Sequence, residues 1–207
     1  MLSRSRLKTR ALAAATAAAL AAVPAGAQEP AAWSEPLTFH TFSIAAVDPR
    51  TGESGVAVTT RVPCVGNGVP WVRAGVGAVA TQANTRTAYG AELLDAMARG
   101  TTPEQALREA LARDTAAASR QVGVIALSGR GAQHTGTGTT GWAGHRAGRN
   151  FVTQGNLLVG PAVLDSVSAA FERTEGAPRH LADRLVEALA AGHAAGGDAR
   201  KGRAQSA

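Results

Sequence analysis

Thr41-Phe42-Ser43-Ile44-Ala45-Ala46-Val47, then Asp48-Pro49-Arg50-Thr51-Gly52, then Ser54-Gly55-Val56-Ala57-Val58-Thr59-Thr60 is the stretch whose reading decides the fold. Phe42 and Ile44 alternate with smaller residues, the period of a strand. The Asp-Pro-Arg-Thr-Gly run is a turn signal, and a second strand-like run follows it, so the three pieces predict a hairpin. Working outward, Val69–Ala74 and Val76–Gln82 are two further apolar runs hinged at Gly75. The period then changes. Tyr89–Arg99 carries Leu93, Leu94 and Met97 at helical spacing and stops at Gly100. Thr102-Pro103-Glu104-Gln105 is a helix start, with Thr102 as cap, Pro103 at the first helical position and Gln105 placed to complete a capping box.

The alternation returns at Gln121–Leu127, turns at Ser128–Gly131 and continues over Ala132–Thr135. A glycine- and threonine-rich stretch, Gly136–Gly141, leads to Trp142, and Asn150–Gln154 is a short strand. Helices are expected over Pro161–Arg173, ended by Gly176, and Leu181–Ala191, ended by Gly192. The tail 194–207 shows no element. Four strands, two helices, three or four strands and two helices do not alternate singly, which argues against a doubly wound parallel sheet. Paired helices must bury their apolar stripes against something, so an α+β fold with two sheets between helical layers fits this order.

The chain has 207 residues and a net charge of +6. Residues 1–27 hold Arg4, Arg6, Lys8 and Arg10 with no acid, which leaves 17 basic against 15 acidic residues in the rest. The body is close to neutral and needs no nucleic-acid partner to explain its charge. The basic start, the alanine-rich run Ala11–Val23 and the small-residue pattern Ala25-Gly26-Ala27 read as a secretory signal peptide. That run is too short to span a bilayer. The expected organisation is a signal peptide over 1–27, a linker or pro-segment over 28–40 and one domain over 41–207, in a protein exported to the periplasm or beyond. No integral membrane segment is expected after signal removal.

Several motifs point to chemistry that their context does not support. Gly136-Thr137-Gly138-Thr139-Thr140-Gly141 matches a dinucleotide fingerprint literally, but Trp142-Ala143-Gly144-His145 follows where a helix should begin. His40, His134, His145, His180 and His193 form no zinc-helix pair, and no cysteine pair supports them. No Gly-x-Ser-x-Gly elbow exists. Cys64, the single cysteine, reads as a small buried apolar residue near a strand end rather than a nucleophile. Neither a cofactor nor a metal is expected.

The hairpin opening on Thr41, with Arg73 about 30 residues on in the third strand, resembles the N-terminal nucleophile (Ntn) hydrolases, in particular the proteasome subunit group. Their element order is the same, and the resemblance implies their architecture for this α+β chain: a four-layer αββα sandwich of two antiparallel sheets between helical layers. A closer resemblance is to the bacterial family of domain of unknown function 1028, placed in that superfamily. It is carried by Thr41-Phe42-Ser43-Ile44, Gly55-Val56-Ala57-Val58, the run Val69–Gln82, Arg120-Gln121-Val122-Gly123, Trp142-Ala143-Gly144-His145, Gln154-Gly155-Asn156 with Gly160-Pro161, and Gly196-Gly197-Asp198. The family's activity is unassigned. Some members carry a peptidoglycan-binding domain, so cell-wall association is an expectation the resemblance brings, as is assembly into homo-oligomers.

The resemblance implies Thr41 as nucleophile and its own α-amine as base, with a small amide, peptide or cell-wall fragment as substrate. Arg73 would lower the amine's pKa by like-charge repulsion. Asn84 or Asn156 would stabilise an oxyanion. Asp198 and Ser206 would pack near the first strand and orient Thr41, with Arg203 and Gln205 in the same stretch. Thr41 becomes N-terminal only if the His40–Thr41 bond is cut, since signal removal leaves Gln28–His40 in front of it. The alternative from another class is a non-catalytic envelope or interaction protein on the same scaffold. Resembling proteins run on into a further apolar strand, so a C-terminally truncated sandwich is a further expectation.

Overall fold

The computed structural model describes residues 41–197 and the backbone of 205–206. The strands and helices are β1 (Thr41–Asp48), β2 (Glu53–Thr60), β3 (Pro70–Arg73), β4 (Gly77–Ala83), α1 (Ala88–Ala98), α2 (Pro103–Ala112), β5 (Arg120–Ala126), β6 (Gly131–Thr135), β7 (Trp142–Gly148), β8 (Phe151–Leu158), α3 (Ala162–Arg173), α4 (Leu181–Ala194) and β9 (Gln205–Ser206). The fold is α+β. One sheet has the order β7-β8-β1-β2-β9 and the other β3-β4-β5-β6, with every pairing antiparallel.

Alternation along the strands distributes side chains between three apolar clusters. On the outer face of the first sheet, Phe42, Ile44 and Phe151 pack against Val167 and Phe171 of α3 and Leu185 of α4. Its inner face, Ala45, Val47, Val58 and Val152, meets Ala78, Ala80 and Ile125 of the second sheet. The outer face of that second sheet, Val79, Val122 and Val124, packs against Tyr89 and Leu93 of α1 and Leu107 of α2. Each fully buried Leu, Ile or Phe contributes about 1.5–3 kcal/mol. β1 is buried on both faces, which explains its nearly unbroken apolar sequence.

The hairpin forms as expected, with Gly52 at φ 77° closing its turn. Thr102 caps α2 by accepting the Gln105 N–H at 3.3 Å. The reciprocal half of the box is absent: the Gln105 amide donates to Glu109 instead. Gly136–Gly141 runs into β7 and no helix begins there.

Trp142–His145, to which the sequence alone assigns no element, lies in a full strand, β7, paired with β8, with an irregular register between Trp142 and Gly144. Three expectations need correction. The tail contains β9, too short to show a period. Gly192 does not end α4. It lies inside the helix because a Cβ there would come within 2.6 Å of Val167 and 2.9 Å of Phe42, so glycine permits the close approach. Cys64 is exposed rather than buried, sitting at φ 58° in the turn after β2.

Two oppositely charged residues, Asp48 and Arg184, are buried deep in the fold. Arg184 of α4 is 1% exposed. Its guanidinium donates to Thr174 Oγ1 at 3.0 Å and Glu175 at 2.7 Å, lies 3.5 Å from Asp48 and stacks over Phe171. It ties the hairpin turn to both outer helices.

Candidate active site

The inner faces of the two sheets are apolar at one end and polar at the other. Thr41 and Ser43 precede Ala45 and Val47 on the same face of β1, by the two-residue alternation. Gln82 follows Ala78 and Ala80 on β4, and Gln121 precedes Ile125 on β5. Thr60 follows Val58 on β2, while Gln154 and Asn156 follow Val152 on β8. All seven polar residues are buried. Thr41 faces Thr60 across one side of its strand and Asn156 across the other.

These groups satisfy one another through hydrogen bonds. Thr41 Oγ1 is 2.9 Å from Thr60 Oγ1. Thr60 Oγ1 also accepts the Val62 N–H at 3.1 Å. Gln82 Nε2 donates to the Thr41 carbonyl at 3.0 Å and to Gln121 Oε1 at 2.8 Å, while Gln82 Oε1 accepts Ser43 Oγ at 2.6 Å. Asn156 Nδ2 donates to Gln121 Oε1 at 3.1 Å. Gln121 Nε2 donates to the Gly155 carbonyl at 2.8 Å and to Thr135 Oγ1 at 3.0 Å, and that hydroxyl lies 2.9 Å from His145 Nδ1. Gln154 Nε2 donates to the Ala80 carbonyl at 2.9 Å, but its Oε1 is buried without a partner. Desolvation, then Arg146 and His134, hold His145 below its ordinary imidazole value. The seven residues of the cluster itself are uncharged.

Arg73 is not beside Thr41. It pairs with Gly77, at the opposite end of β4 from Gln82 and roughly 17 Å away at about 3.4 Å per residue. There it forms a 2.7 Å ion pair with Asp95 of α1. The third strand ends too far from the start of β1 for a guanidinium at this position to reach it. Asn84 follows β4 at the same end as Gln82, but it is exposed and its amide donates to Ser119 Oγ at 3.2 Å. Ser206 pairs with Thr59 in β9, and Gln205 with Thr60. This puts Ser206 two strands from β1, or about 10 Å at about 4.8 Å per strand. Asp198 and Arg203 lie outside the described residues. His134 Nε2 donates to the Ala117 carbonyl at 2.9 Å. Among the described residues, no group of three His, Cys, Asp or Glu side chains could hold a metal ion.

The glutamines are the part of the site that reasoning from sequence missed. Gln82, Gln121 and Gln154 each end or begin an alternating apolar run, in step with the core residues of the inner face. That parity is the signal that could have found them.

A two-sheet α+β domain with a buried hydroxyl-and-amide cluster around the first residue of its first strand is the class these observations define. The chain belongs to the Family of unknown function (DUF1028), whose model matches residues 41–207. It is similar to the crystal structure of protein SPO2555 from Silicibacter pomeroyi, which carries the same family description. The two are 32% identical and superpose with a TM-score of 0.71, over 75% of this chain and 71% of that one. No curated protein matches the chain.

Proposed function

We propose that the chain is an exported hydrolase of amide bonds on the αββα sandwich of the Ntn hydrolases, with Thr41 as its nucleophile after cleavage of the His40–Thr41 bond. The observation that carries this reading is the placement of Thr41 at the start of the family match, with its hydroxyl 2.9 Å from Thr60 Oγ1 in a buried cluster of hydroxyls and amides.

Release of the α-amine would supply the base that the described cluster lacks. The amine takes the Thr41 hydroxyl proton as Oγ1 attacks the substrate carbonyl carbon. The proton then passes to the leaving nitrogen as the C–N bond breaks, leaving an ester on Oγ1. Water attacks that ester, the amine again takes and returns the proton, and the acid departs with the threonine restored. With Arg73 placed elsewhere, burial of the amine is the influence that would lower its pKa toward neutrality. Asn156 Nδ2 carries a second hydrogen beyond the one given to Gln121, which makes it the candidate oxyanion donor in place of Asn84. The substrate is a small amide, peptide or cell-wall fragment.

The test is the intact mass of the exported protein, joined to treatment with a β-lactone, whose ring opens on an activated hydroxyl. A mature chain starting at Thr41 and a single adduct on that residue are expected. A chain that keeps residues 28–40 and takes up no adduct overturns the mechanism. The second reading, a non-catalytic envelope or interaction protein, is favoured by a specific observation: Thr41 and its neighbours are already satisfied as an uncharged structural cluster. It predicts that Thr41→Ala leaves both the cellular phenotype and the processing unchanged.

A further inference from the structure

Gln121 Nε2 carries two hydrogens and has three acceptors within reach: the Gly155 carbonyl at 2.8 Å, Thr135 Oγ1 at 3.0 Å and the Gly144 carbonyl at 3.1 Å. Gly155 and Gly144 face each other across β8 and β7 in the first sheet, whereas Thr135 is paired with Gln121 across β6 and β5 in the second. The Gly155 bond is the shortest, so the other hydrogen is the one contested between the two sheets. Its placement turns the carboxamide. That turn matters because Gln121 Oε1 accepts from both Gln82 and Asn156.

Thr135 decides the placement, and His145 decides what Thr135 offers. β6 and β7 are edge strands of their sheets and lie against each other. His145 is paired with Gln154, whose side chain lies between the sheets, so the imidazole is on the inner face too. There its Nδ1 is 2.9 Å from Thr135 Oγ1. A hydroxyl that accepts from an amide still has its own hydrogen to place, and a neutral ring with a bare Nδ1 takes it. A protonated ring must donate instead. Thr135 Oγ1 then receives the imidazolium hydrogen and its own O–H turns away, which leaves the Gln121 hydrogen a poorer acceptor than the Gly144 carbonyl. The charged and titratable groups around the ring are His134 of β6 and Arg146 of β7. Arg146 donates to the His145 carbonyl at 2.9 Å and to Asp165 of α3 at 2.7 Å. β8 presents the neutral Gln154. Burial, then Arg146 and His134, oppose protonation, so the ring is neutral at neutral pH.

We propose that His145 is a positioning residue for the Thr41 cluster: its neutral ring accepts the Thr135 hydroxyl, and this fixes the Gln121 carboxamide that holds Gln82 and Asn156. Protonation of the ring releases Gln121 toward Gly144 and slackens both of those bonds. The relay stands on geometry, while its consequence for reactivity rests on the proposed roles of Thr41 and Asn156.

The experiment follows the side-chain amide resonances of the isotope-labelled full chain between about pH 5 and pH 8, beside those of the His145 ring. The Gln121 and Asn156 amides are expected to shift with the midpoint of the ring. Thr135→Val leaves the ring free to titrate and should silence both amides, and Thr135→Ser, which keeps the hydroxyl, should restore them. A second arm measures β-lactone labelling of Thr41. The ratio of rates, parent over Thr135→Val, should fall about threefold as the ring is protonated, near the low end of what one neutral hydrogen bond contributes, while titration of the amine cancels between the two proteins. Amides that ignore the ring, or that follow it equally in Thr135→Val, overturn the relay. Labelling whose ratio stays constant while the amides follow the ring overturns the positioning role. Amides that follow the ring in a protein that takes no label at any pH support the relay and overturn the hydrolase reading instead.

Discussion

Thr41 is held on three sides: its hydroxyl by Thr60, its carbonyl by Gln82 and its strand by both neighbours. Its environment depends most on Gln121, whose amide oxygen accepts from Gln82 and Asn156 while its nitrogen donates to Gly155 and Thr135. Replacing it by leucine strands several buried donors and acceptors at once. Gln121→Leu should lower stability by about 3 kcal/mol, read from the urea midpoint. Thr41→Ser keeps the hydroxyl, so it should retain β-lactone labelling under the proposed mechanism, whereas Thr41→Ala should lose it with a melting temperature close to the parent's. The threonine was legible from sequence because it opens a strand and a hairpin. The glutamines were not, because an amide at the end of an apolar run looks like a strand terminus until two sheets close over it. Arg73 shows the opposite error. Spacing along the chain suggested a neighbour, but the pairing of β3 with β4 carries its guanidinium to Asp95.

Among the elements, glycines mark where packing overrides helix propensity. Gly90 sits in α1, and a Cβ there would lie 2.0 Å from the Trp71 ring. The indole is itself pinned, donating to the Gly68 carbonyl at 3.1 Å. Gly90→Ala should therefore destabilise by about 2 kcal/mol or more through overpacking, despite alanine's better helix propensity. A Cβ added at Gly160, ahead of α3, would meet nothing within 4 Å, and Gly160→Ala should be neutral within about 0.5 kcal/mol. Denaturant midpoints of the two variants, compared side by side, check the contrast. The helices α1 to α3 were readable from their periods and the cap of α2 from its residues. The extent of α4 was not, because a glycine that ends helices elsewhere is here the contact with Phe42 and Val167. β7 hid behind its glycines and an irregular register, which only the partner strand β8 makes sense of.

For the molecule as a whole, stability should fall in acid for an identifiable reason. A hydrogen bond from Arg50 holds Asp48 below its ordinary 3.8, opposed in part by burial. Asp114 is held far below the same value, chiefly by its hydrogen bond from Arg120. A carboxyl depressed in the folded state adds stability above its unfolded pKa and loses it as the pH drops through the folded one. The melting temperature should thus hold near pH 5 and decline below about 4, with a shallower decline in Asp114→Asn, which has already lost that linkage. Removing the buried cation is a harsher test of the same architecture: Arg184→Met leaves Asp48 and Glu175 without it and should cost about 3–5 kcal/mol in denaturant unfolding. By itself the sequence determined the hairpin, the four helices, most of the strands and the α+β class, because alternation and helical period are local properties. Tertiary structure alone decided which residues meet at the far end of the sheets. Thr41, Gln82, Gln121 and Asn156 come from four strands, and only the register between those strands and the facing of two sheets brings them into one cluster.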